Sequence, residues 1–105
     1  MNSVEIAGIV SHLPQERELA SGTRVLSWRI KVPREQTGSD SIPCAISFEN
    51  VPKSLLTRIE SLEVGQTVSI EGLLRSRYWQ GSAGNASRVE VEVTALKKIP
   101  KNQLL

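Results

Sequence analysis

Apolar and polar residues alternate along most of this chain, and a period of two is the mark of strands that bury one face. From Ser3 to Ser11, Val4, Ile6, Gly8 and Val10 fall on one side and Glu5, Ala7, Ile9 and Ser11 on the other. The second side is more apolar than a solvated face requires. This predicts either a central strand or an edge covered by another subunit. His12-Leu13-Pro14 is expected to break the strand. Thr23 to Pro33 alternates again, with Leu26, Trp28, Ile30 and Val32 opposite Val25, Ser27, Arg29 and Lys31. Trp28 falls on the apolar side, which favours packing over base stacking. The polar run from Pro33 to Ser41 reads as a surface loop, and Ile42 to Phe48 as a short strand with Cys44, Ile46 and Phe48 on one face.

The period changes once. Leu55, Leu56, Ile59 and Leu62 recur at helical spacing, so a helix is expected over Asn50 to Leu62, with Pro52 in its first turn and Asn50 as a cap. Two more strands follow, Gln66 to Trp79 and Arg88 to Leu96, separated by an expected hairpin loop over Gln80 to Ser87. The last strand places Val89, Val91 and Val93 on one face and Glu90 and Glu92 on the other. Five strands with one helix between the third and fourth is the element order of an oligonucleotide-binding barrel, a small all-β Greek-key sheet closed on itself.

Composition sharpens this picture only locally. With 13 Lys and Arg against 11 Asp and Glu, the net charge is +2, so anion binding must come from clustering. One cysteine, Cys44, allows no internal disulfide and fits a reducing, cytoplasmic setting. Neither a signal peptide nor an apolar run approaching the roughly 20 residues of a membrane span is visible. His12 has no companion ligand, and Cys44 no basic partner at motif spacing, so neither a metal nor a thiol nucleophile is expected. No carboxylate pair, phosphate loop or nucleophile–base set points to an enzyme, a cofactor or a small-molecule substrate.

The sharpest chemistry lies in QTVSIEGLLRSRYW, Gln66 to Trp79. Arg75, Arg77 and Trp79 share one strand face. Guanidinium groups beside an indole suit a polymer that alternates phosphate and base.

Two blocks carry a resemblance. NSVEIAGIVSHLPQERELASGTRVLSWRIKV resembles the opening of bacterial single-stranded-DNA-binding proteins, with Gly8, Pro14, Arg17 and Ser21-Gly22 in matching places. The block GQTVSIEGLLRSRYW…G…EVEV resembles their fourth-strand segment almost position for position. Residues 1–99 would then form the DNA-binding barrel, with a short end over 100–105 that lacks the family's acidic tail. The resemblance implies phosphate contacts from Arg75 and Arg77 and base stacking by Trp79 and Phe48. Arg29, Lys31, Arg34 and Arg88 complete the expected nucleic-acid-binding set. It also implies pairing of first strands into a homodimer or homotetramer, through Val4, Ile6, Ala7 and Ile9. Departures are an isoleucine at Ile42 and no tryptophan in Pro33–Ser41, where family members often carry tryptophans, and Leu13 in place of the usual acidic residue. The expected function is sequence-tolerant binding and protection of single-stranded DNA in replication, recombination or repair. The alternatives are an accessory barrel like primosomal replication protein B, and an assembly module with little DNA affinity.

Overall fold

The computed structural model describes residues 1–49, 51–81 and 84–100, with the backbone alone at 79–81 and 85. Its elements are β1 (Val4–Glu18), β2 (Arg24–Pro33), β3 (Ser39–Ser47), α1 (Lys53–Glu60), β4 (Thr67–Gly81) and β5 (Gly84–Ile99). The strands close into a barrel in the order β1-β2-β3-β5-β4. All neighbours are antiparallel except β3 and β5, which meet in parallel at Cys44↔Val91 and Ala45↔Glu92. This is the expected five-stranded oligonucleotide-binding barrel, with its helix between the third and fourth strands.

Its interior is built from the residues the alternation marks. Val10, Trp28, Ile30, Cys44, Ile46, Val68, Ile70, Val91, Val93 and Leu96 are buried in one cluster, which Leu55 and Ile59 of α1 and the following Leu62 close at one end. Trp28, 2% exposed, is a packing residue. Burial pushes the Cys44 thiol up to about 12, so it stays protonated and inert. The helix is shorter than the Asn50–Leu62 span. Its N-terminus is at Pro52, without a side-chain cap, and the proposed cap Asn50 lies outside the described residues.

Three boundaries move. β1 does not stop at His12-Leu13-Pro14 but runs on to Glu18, with register shifts between Val10 and His12 and between His12 and Gln15. Such bulges leave residues outside the ladder, which is where a proline without an N–H is tolerated. β3 starts at Ser39 rather than Ile42, so the expected loop shrinks to the turn around Gly38, whose φ of 86° suits glycine. The expected hairpin loop Gln80–Ser87 is mostly paired ribbon, with Gln80↔Asn85 and Gly81↔Gly84 in register.

A register shift also separates Glu71 from Gly72 on β4. Gly72 is packed so closely that an added Cβ would lie 2.2 Å from the Glu92 carbonyl oxygen. β1 accompanies β4 only as far as Gly72 and β3 accompanies β5 only as far as Val91; past these rungs β4 and β5 continue as an arm. Asn2 seals the arm's base: its amide donates to the Leu74 carbonyl and accepts from the Leu74 N–H, both at 2.8 Å. Further along, the Ala20 N–H of the β1–β2 turn donates to the Tyr78 carbonyl at 2.9 Å.

Candidate nucleic-acid interface

Residues directly opposite in an antiparallel ladder share a face. In the arm, Arg75 lies opposite Glu90, Arg77 opposite Arg88, and Trp79 opposite Ala86. One face of the ribbon therefore gathers three arginine positions, as the sequence alternation of β4 predicts. The Trp79 side chain lies outside the described residues, so only its register position is fixed. The reverse face carries Leu74, Ser76, Tyr78, Ser87 and Val89. Here the expected grouping of Val89 with Val91 and Val93 separates in burial. Val91 and Val93 are interior, whereas Val89 is 55% exposed because the arm has left the barrel.

Two like charges opposite one another repel, and the Arg77–Arg88 rung stands beside two acids that offset this. Glu92 binds both arginines of β4: Arg75 Nε meets Oε2 at 2.9 Å and Arg77 Nη2 meets Oε1 at 3.2 Å. Burial pushes the Glu92 carboxyl up, but the hydrogen bond from Arg75 and the ion pair with Arg77 outweigh it and hold the group below the usual carboxylate range. Glu90 differs from the solvated residue that alternation suggests. It is 1% exposed, and neither carboxylate oxygen has a hydrogen-bond partner among the described residues. Burial raises its carboxyl, partly opposed by the charges of Arg88, Arg77, Arg17 and Arg29.

That list names a residue the sequence left out of the site. Arg17 matched the family pattern, yet no local spacing ties it to the fourth strand. Extension of β1 past Pro14 brings it to the others. Arg17, Arg29 and Arg88 line one cavity of about 270 Å³, together with Leu13, Trp28 and Val64. Arg29 also donates through Nε to Ser41 Oγ at 2.9 Å.

The remaining expected contacts are placed apart from this cluster. Lys31 is exposed on β2. Arg34 is bound to Asp40 at 2.6 Å across the β2–β3 turn, and its hydrogen bond holds the Asp40 carboxyl low. Phe48 is half-buried and packs against the barrel core at the end of the series Cys44, Ile46. Of the expected interface residues, Val4 and Ile6 face the core, and Ala7 and Ile9 point outward, Ile9 being 42% exposed. Among the described residues no group of three or more His, Cys, Asp and Glu is placed to hold a metal ion, and no helix is long and apolar enough to cross a membrane.

Comparison with known proteins agrees with this geometry. No curated protein matches the chain. Among solved structures, the N-terminal domain of PriB protein from Thermoanaerobacter tencongensis, described as dimeric, superposes with a TM-score of 0.67 at 25% identity, over 95% of this chain and 98% of that one. The model of the single-strand binding protein family matches residues 1–99. A closed five-stranded barrel with an arginine-faced β4–β5 arm, matched along nearly its whole length, places the chain in the single-strand binding protein family.

Proposed function

We infer that this protein binds single-stranded DNA without catalysing a reaction on it, and with little dependence on base sequence. The observation that carries this is the arginine-bearing face of the arm, continued by Arg17 and Arg29 into the cavity beside it. Guanidinium groups read phosphates, which every sequence offers equally. Arg75, Arg77, Arg88, Arg29 and Arg17 form the main phosphate track. Lys31 and Arg34 lengthen it along the β2–β3 hairpin, and Trp79 and the exposed part of Phe48 supply stacking.

Two protomers pair through the start of β1. Val4 to Gly8 are in register with β4 alone, since β2 joins only from Ile9 onward. The open edge, flanked by outward Ala7 and Ile9, suits the same edge of a second copy.

Titration of labelled oligo-dT across a salt series tests the reading. Log affinity falls with log salt by about 0.7 for each phosphate contact. An affinity that ignores salt would sink it. A second reading, an accessory barrel of the PriB type, is favoured by the likeness to that domain over 98% of its length. It shares the strand-binding face and adds a protein partner. Light scattering of the protein with oligo-dT separates self-association from strand-driven assembly.

A further inference from the structure

We propose that Glu92 competes with the DNA strand, its carboxylate occupying Arg75 and Arg77 in the free protein and yielding them to a phosphodiester on binding. The inference rests on the strand-binding reading above. The two carboxylate oxygens are taken by different guanidinium groups, one at 2.9 Å and one at 3.2 Å. A phosphodiester likewise presents two anionic oxygens on one atom, and arginine binds both kinds of group with the same donors. The side chains are 52% exposed at Arg75, 26% at Glu92 and 15% at Arg77. Arg75 is therefore open to an incoming strand, while Arg77 is largely covered and its Nη2 meets the carboxylate. Ionised Glu92 leaves the trio with one net positive charge, and its removal leaves two.

Glu90, on the same face, does not play this part. It is buried, and its oxygens have no hydrogen-bond partner among the described residues. Among the described residues, Glu92 alone bridges Arg75 and Arg77. The fourth-strand pattern Arg-x-Arg identified the cations but not their internal counter-ion, because the bridging acid sits diagonally on β5, one alternate position past the residue opposite Arg75.

The test is Glu92→Gln, which keeps the shape and an acceptor oxygen while removing the charge, compared with the unaltered protein by oligo-dT anisotropy across a salt series. Affinity at low salt rises about two- to fivefold, the range of a partly exposed ion pair. The salt slope steepens by up to about 0.7, since a guanidinium freed from Glu92 gathers a counter-ion that binding then releases. In an Arg75→Gln background the gain shrinks. Glu92→Ala, equally uncharged, replaces the glutamine variant if that one melts early. Weaker or unchanged binding with an unchanged melting temperature overturns the proposal, because Glu92 would then organise the arginines or be irrelevant to them. If the unaltered protein binds and the variant gains nothing, this inference alone fails. If neither binds at the lowest salt, the strand-binding reading fails and takes the inference with it.

Discussion

β4 and β5 run through both the barrel body and the arm, yet the two regions treat apolar side chains in opposite ways. Below the register shift at Glu71–Gly72, Val68, Ile70 and Leu96 are at most 2% exposed. In the arm, past the still-buried Val93 and Val91, Leu74, Tyr78 and Val89 are 50–59% exposed on one face, and on the other Glu92 is ion-paired with Arg75 and Arg77. Alternation runs unbroken along β4, while on β5 it slips by one residue between Val93 and Leu96 at the register shift. It specifies which side chains share a face, but cover for that face comes only from the strands that close the barrel. The body is held by burial, while the arm leaves apolar side chains within reach of solvent.

The widest test of this contrast sets Ile70→Ala against Leu74→Ala. The first should cost about 2–5 kcal/mol through the cavity it leaves, and the second less than about 0.5 kcal/mol, as for an open surface site. Urea denaturation measures both. Equal losses would mean that the arm belongs to the cooperative core.

On the binding side the order reverses. Trp79→Ala should weaken oligo-dT binding about tenfold or more, equivalent to about 1.4 kcal/mol, with little change in stability. Oligo-dT should quench tryptophan fluorescence, and that response should largely vanish in the variant. Unfolding by this substitution would place Trp79 in the core and move the strand-binding face to the reverse side of the arm. Next in size, Arg75→Ala should weaken binding about threefold and flatten the salt slope by up to about 0.7. An unchanged slope would remove Arg75 from the phosphate track.

The smallest effect concerns Glu90, a charge buried where the arm meets the body. Because burial raises its folded pKa above the ordinary glutamate value, the charged form opposes folding at neutral pH. That penalty fades as pH falls through the raised value and is gone below the ordinary one. Glu90→Gln should therefore raise the melting temperature at neutral pH, and the gain should shrink on acidification. Glu92 and Asp40 work the other way: with carboxyls held low, they support folding above the ordinary range and lose that support as pH falls. A glutamine variant at position 90 that melts early at neutral pH would mean that the surrounding arginines outweigh the burial.

Much of the body was legible because the sheet period and the switch to helical period at Leu55–Leu62 are local signals. The outer parts were less so. Pro14 ordinarily ends a strand, and only pairing with β2 through bulges carries β1 past it. Gln80 to Ser87 is rich in Gly, Ser and Asn, a turn composition, yet the ribbon pairs nearly to its tip. The arginines of β4 were readable from spacing alone. Their attachment to Glu92, the burial of Glu90 and the arrival of Arg17 depend on partners from other strands, which no local pattern carries.

The amide of Asn2 reaches 72 residues along the chain to hold both polar groups of the Leu74 backbone. Closing a loop of that length has a large entropic cost before any contact rewards it. The rung lies just past the Val4↔Gly72 end of the β1–β4 ladder, which closes the same loop, so fraying of the first residues opens it without unfolding the barrel. The exchange rate of the Leu74 amide proton is accordingly a clock for the docking of the chain's first residues, readable separately from global unfolding.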